Sequence, residues 1–163
     1  MSNLNNKIIS ILKDDSRTPV SRIAVMLGES EKTVEKAVAQ LEKDGVIVKY
    51  TTLINEDKLS TDRVEALIEV KVSPQHTQGF DSIAENVYQF DEVKSVYLMS
   101  GAYDLAVFIE GRTLREVASF VSEKLSVMDN VLSTATHFIL KKYKTDGVVL
   151  EEPVGNKRLV VQP

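Results

Sequence analysis

The 163-residue sequence contains no cysteine, which excludes a disulfide framework, a thiolate nucleophile and a cysteine zinc site. Histidine is confined to His76 and His137. No Gly-rich phosphate loop, metal pair or Ser–His–Asp arrangement is apparent. No apolar run is long enough to span a bilayer. The N-terminal stretch lacks a charged n-region followed by an apolar h-region, so no secretory signal is expected and the cytoplasm is the expected location. A basic excess is missing too. The net charge is −4; the first 60 residues carry nine basic and nine acidic side chains, the remainder 11 and 15. Any affinity for nucleic acid must therefore rest on where the charges sit, not on their total.

What is present is periodicity. Leu4, Ile8, Ile11 and Leu12 recur along one helical face, with Asn5 as N-cap and residues 14–16 as stop. Thr18 is placed to cap a second helix, with Pro19 in its first turn and Ile23, Ala24 and Leu27 inside. Gly28 supplies the left-handed residue that ends it. Ser30 opens a third helix with Val34, Ala37, Val38 and Leu41 inside, and Gly45 ends it. Two helices joined by Gly28-Glu29-Ser30 fit a helix-turn-helix; they also fit a generic three-helix bundle with a tight corner. In the first case the third helix is the one that enters the major groove. Lys32, Lys36, Gln40 and Lys43 lie along one line of it, and Glu31, Glu35 and Glu42 along the next. The same stripes also describe a solvated face of mixed charge. Lysine meets phosphate as a flexible point charge, so positioning contacts should outnumber base-reading ones. Residues 46–54 are β-branched and aromatic and predict a strand, either a wing or a link. Polar residues 55–63 mark a boundary.

Beyond it, Val64, Ala66, Ile68, Val70 and Val72 alternate with Glu65, Leu67, Glu69 and Lys71 as a strand, with Pro74 as terminator. Phe80, Ile83, Ala84 and Val87 have helical spacing. Strands follow around Val93–Met99 and Leu105–Ile109, joined by a loop containing Gly101-Ala102-Tyr103-Asp104. Thr113-Leu114-Arg115-Glu116 reads as a capping box, opening a helix with Leu114, Val117, Ala118, Val121 and Leu125 inward. A last strand spans 131–140, with Thr134, Thr136 and Phe138 on one face. The order βαββαβ predicts an α+β, ferredoxin-like sheet with both helices on one face. The other face is partly apolar, Leu67 included, and calls for a partner, most simply a second copy. Residues 148–150, a turn at 153–156 and residues 159–161 suggest a final hairpin or tail. The expected organisation is thus 1–60 (winged helix-turn-helix with a linker strand), 61–146 (βαββαβ domain) and 147–163.

From residue 4 to about 144 the chain resembles the Lrp/AsnC, or feast/famine, regulators. The resemblance is carried by residues 8–12, by Arg17-Thr18-Pro19-Val20-Ser21-Arg22-Ile23-Ala24, by Leu41-Glu42-Lys43-Asp44-Gly45-Val46-Ile47, by the Gly101-Ala102-Tyr103-Asp104 loop and by Thr134-Ala135-Thr136. It implies a transcription regulator that binds double-stranded DNA, pairs through its sheets and often closes four dimers into an octamer. It also implies an amino-acid effector near the loop and no cofactor. A DNA-facing set of Thr18, Ser21, Arg22, Ser30, Lys32, Thr33, Lys36, Gln40 and Lys49 follows. So does an effector set of Met99, Ser100, Gly101, Tyr103, Asp104, Thr134 and Thr136. Gly101 would let backbone N–H groups approach a carboxylate, Asp104 would pair with an ammonium, and the hydroxyls would add neutral hydrogen bonds. A hairpin needing Gly for its geometry and Asp for a local turn bond accounts for the same residues. The chain departs from the family at Ala37, where Arg is usual, at Lys7, where an acidic residue is usual, and at Ser60-Thr61, where Gly is usual.

Two rivals remain. One is a sensing and assembly module with weak DNA affinity, suggested by the glutamates of the third helix. The other is an enzyme like the sirohaem decarboxylases, whose fold the family resembles; it would need convergent His and Arg side chains, and only the two histidines are available.

Overall fold

In the computed structural model, which describes residues 2–59, 63–73 and 79–151, Ser2 rather than Asn5 starts the first helix. Its side chain accepts the Asn5 N–H at 3.2 Å, and α1 runs Asn3–Asp14. The second helix, α2 (Val20–Leu27), has Pro19 at its N-cap and no side-chain cap. Thr18 instead donates its hydroxyl to the Asp15 carbonyl at 2.9 Å. It closes the preceding turn, and α2 begins one residue later than expected, with Pro19 in the N-cap position. Gly28 ends α2 in the left-handed conformation, φ 69°, and the Glu29 N–H reaches back to the Ala24 carbonyl, as in a Schellman cap. The third helix, α3 (Glu31–Lys43), is capped as expected, Ser30 accepting the Thr33 N–H at 3.1 Å.

Ile8, Ile23, Ala24, Val34 and Leu41 form the buried centre of these helices, with Leu4, Leu12, Leu27, Val38 and Ile47 packed around it. A Cβ at Gly28 would touch nothing. Gly28→Ala is therefore expected to cost only the left-handed backbone penalty, about 1–2 kcal/mol. A calorimetric melt of the first unit should fall by several degrees; an unchanged melt would mean that the turn relaxes freely. The strand expected at 46–54 does not form: described residues 46–55 contain no strand, and Val48 is 88% exposed. β-branched composition favours a strand only where another strand completes its ladder, and none is paired to it here.

Described residues up to Asn55 form one compact unit and those from Glu56 a second. The second contains β1 (Val64–Val72), α4 (Asp81–Tyr88), β2 (Val93–Leu98), β3 (Leu105–Gly111), α5 (Leu114–Phe120) and β4 (Val131–Phe138). The strands lie in the order β2-β3-β1-β4 and are antiparallel throughout, which is the expected βαββαβ sheet. Ala66, Ile68, Val70, Leu105, Val107 and Ile109 of the sheet and Ile83, Val87, Val117, Phe120 and Leu125 from the helical side form the core. The inward face of α5 differs from expectation. Leu114 is 58% exposed and Ala118 is exposed, while Phe120 is buried. After Phe120 the helix widens into a π turn, Val121–Leu125, and the extra residue per turn brings Leu125 inward after Val117 and Phe120. The capping box is also modified. Thr113 accepts the Glu116 N–H at 3.1 Å, but Glu116 returns its bond to the N–H of Arg112, at 2.7 Å.

The hairpin after β4 is β5 (Lys144–Thr145) paired with β6 (Val148–Val149). Its turn is Asp146-Gly147, both at positive φ, 49° and 83°, the pattern of a type I′ turn. The turn expected at 153–156 lies outside the described residues, as do Pro74 and His76.

Candidate functional sites

The outer surface of α3 follows from its inner one. With Val34 and Leu41 buried, Lys32, Thr33, Lys36 and Gln40 point to solvent. All ion pairs found among the described residues begin at Arg63 or later. Lys32, Lys36 and Arg22 thus hold charges not neutralised within the first unit. Ser21 and Arg22 are exposed on the first turn of α2, Lys49 is exposed beyond α3, and Thr18 is half-buried. Three members of the DNA-facing set are already engaged. The Thr33 and Ser30 hydroxyls share a hydrogen bond at 2.7 Å, and the Gln40 amide donates to Asp44 at 2.6 Å. Of the three glutamates on α3, Glu42 is held by the Tyr50 hydroxyl at 2.8 Å. Burial, then the hydrogen bond and the charge of Glu42, push the Tyr50 phenol above its usual value. Sequence periodicity gives no sign of this contact, because Tyr50 lies beyond the helix end at Gly45.

The second site is the loop of residues 99–104. Leu98, Leu105, Val70 and Thr134 form one row across the four strands, so the fold brings Thr134 to the same sheet end as the loop. At about 4.8 Å per strand it lies two strands away from Leu105. Thr136 lies one row further in, beside Ile68, on the helix-covered face. Met99, Ser100 and Gly101 are exposed, Tyr103 and Asp104 partly covered. Gly101 has no left-handed φ, and a Cβ there would meet nothing, so turn geometry does not require glycine at this position. Asp104 is engaged at one oxygen: its Oδ2 accepts the Val72 N–H at 2.9 Å. Thr134 shares a hydrogen bond with Ser126 at 3.2 Å. Ser126 is absent from the sequence-derived set because the π turn that places it leaves no signature in the spacing.

A cleft of about 580 Å³ opens at the other end of the sheet, over Ile109, Val117 and Phe120. Its charges largely serve one another. Arg63 pairs with Glu110 and Lys124 with Glu92, and Glu116 holds the Arg112 N–H. The sheet face left uncovered by the described residues carries two rows, Ser95-Phe108-Leu67-His137 and Tyr97-Ala106-Glu69-Ala135. Tyr97 meets Phe108 edge-on at 5.9 Å, and His137 lies 3.4 Å from Glu69.

Three helices around a Gly28 corner, followed by this sheet, are the two halves of a DNA-binding transcriptional regulator with a ligand-binding domain. Family models agree: one described as winged helix-turn-helix DNA-binding matches residues 1–48, and the Lrp/AsnC ligand binding domain matches residues 65–149. The chain belongs to the Lrp/AsnC family of regulators. It is 49% identical over 158 residues to the uncharacterized HTH-type transcriptional regulator YugG of Bacillus subtilis, covering 96% of this chain and 95% of that one. It is 34% identical to the HTH-type transcriptional regulator LrpA of Pyrococcus horikoshii, covering 84% and 94%. Solved structures share the fold. Escherichia coli AsnC superimposes with a TM-score of 0.70 at 21% identity, over 89% of this chain and 95% of that one. A transcriptional regulator of Neisseria meningitidis, solved as its L-Met complex, gives 0.72 at 19%, over 95% and 97%.

Proposed function

We propose that residues 1–60 bind double-stranded DNA sequence-specifically, and that residues 61–146 assemble the chain and receive an amino acid at the 99–104 loop, which modulates assembly or activity; residues 147–163 are an appendage. The unit of assembly is a homodimer formed by the uncovered sheet faces, with dimers closing into octamers. The setting is the cytoplasm, and the role is regulatory, not catalytic. The observation that carries the DNA reading is that Lys32 and Lys36 on α3 and Arg22 on α2 are exposed and in none of the ion pairs found among the described residues. The amino-acid reading is supported by the ligand-binding family match and by the L-Met complex of the Neisseria regulator. The described helices include none long and apolar enough to cross a membrane.

The test is a fluorescence-anisotropy titration against DNA from upstream of the chain's own gene, repeated at several salt concentrations. Tight, salt-dependent binding that exceeds random DNA supports the proposal; no preference even at low salt points to the sensing module instead. In the same assay Lys36→Glu is expected to weaken all sequences alike and to lower the salt slope by about one for each phosphate no longer neutralised. If neither quantity moves, Lys36 lies off the interface.

A further inference from the structure

We infer that Asp104 is a positioning residue: its carboxylate shapes the 99–104 loop by holding Val72, instead of contacting the effector's ammonium group. The inference rests on the reading that the loop receives the effector. Asp104 is tied to the protein through its backbone N–H, its backbone carbonyl and one carboxylate oxygen, Oδ2. Its N–H donates to the Val70 carbonyl at 3.0 Å, and its carbonyl accepts the Met99 N–H at 2.8 Å. Its carboxylate accepts the Val72 N–H at 2.9 Å. The first two bonds close the loop on itself and onto β1; the third extends the attachment past the last β1–β3 pair, Val70 with Leu105.

The third bond falls where the sheet needs it. The β1–β4 register shifts between Lys71 and Val72, and Val72 is 5% exposed. An N–H at such a place, left without an acceptor, carries its full desolvation cost. The side chain of Asp104 supplies that acceptor. From there the connection continues: Ser73 donates its N–H to the Asn130 carbonyl at 2.9 Å, and Asn130 sits at φ 73° immediately before β4, which carries Thr134. The carboxylate thus ties the loop to the end of β1, which the Ser73 bond joins in turn to the start of β4. Gly101 cannot set the loop's shape by conformational freedom, having no left-handed φ, so the task falls to Asp104.

The test compares Asp104→Asn with Asp104→Ala in the full chain. Asparagine keeps an acceptor of the same reach and loses the charge; alanine loses both. Amide hydrogen exchange at Val72 and Met99 is expected to match the parent in Asp104→Asn and to rise about tenfold in Asp104→Ala. Titration with L-methionine, then with the other amino acids, should show binding kept within about threefold by Asn and weakened about tenfold or more by Ala. Unchanged Val72 exchange in Ala overturns the inference. So does loss of binding in Asn while Val72 stays protected, since the charge itself would then touch the ligand. If Ala fails to fold while Asn folds, the fold needs the acceptor and the inference gains support. If the parent binds no amino acid, the effector reading fails and the exchange comparison alone decides the role of Asp104.

Discussion

Ile23→Asp is expected to unfold the residues up to Asn55 and to abolish DNA binding while the sheet keeps its structure. Ile23 is 0% exposed, and only Ile8, Ala24, Val34 and Leu41 share the buried centre of its unit. An unpaired carboxylate there costs several kcal/mol on top of the forfeited apolar burial. A unit of this size holds roughly 3–8 kcal/mol in all, so one substitution suffices. Two-dimensional NMR of the full chain should show the N-terminal resonances collapse into the unfolded region while those of β1–β4 stay dispersed. Val25, two residues on and 82% exposed, is the control: Val25→Asp should change stability by no more than about 0.5 kcal/mol. A folded Ile23→Asp with normal DNA affinity would remove Ile23 from the core.

Phe108→Glu should convert the assembly to folded monomers. Phe108 stands between Leu67 and Ser95 on the uncovered face, edge-on to Tyr97. That face already holds Glu65, Glu69 and Glu110 on the same strands. In an isologous dimer the substitution occurs twice, so two carboxylates enter one interface as two rings leave it. Each ring removed takes away about 1.5–3 kcal/mol of apolar burial. Because Phe108 is only partly buried within one chain, the monomer should keep its fold. Sedimentation velocity at micromolar concentration gives the answer. A variant that sediments like the parent dimer places the interface elsewhere, and a monomeric parent dismisses the sheet-face reading altogether.

Local features of the chain are legible in its sequence; features set by distant partners are not. The α3 cap at Ser30, the stop at Gly28 and the alternation of β1 each depend on residues within a few positions, so periodicity and capping chemistry reveal them. The failures are all cases where something else competes. Residues 46–55 have strand composition but no strand to pair with. Thr18 has the residue type of a cap, but Pro19 takes the N-cap position of α2. Leu114 has the right spacing for the core but stays exposed in the first turn of α5, and Phe120 takes an inward place that the spacing does not assign. The Asp146-Gly147 dipeptide is itself a turn signal, and the hairpin it makes is not among the expected elements. At the candidate sites the residue types are visible, but their commitments are not. That Asp104 faces Val72, 32 residues away in sequence, leaves no mark on the periodicity; the Gln40–Asp44 bond has i,i+4 spacing and is within reach of the sequence.

The distribution of ion pairs has a practical consequence. Those found among the described residues all belong to the sheet unit; the helical unit is held by apolar contacts and caps. Added salt therefore has little attraction to screen inside the helical unit, while on the proposed interface it competes with DNA for Lys32 and Lys36. Ionic strength then acts as a dial on occupancy that leaves the amount of folded reader unchanged.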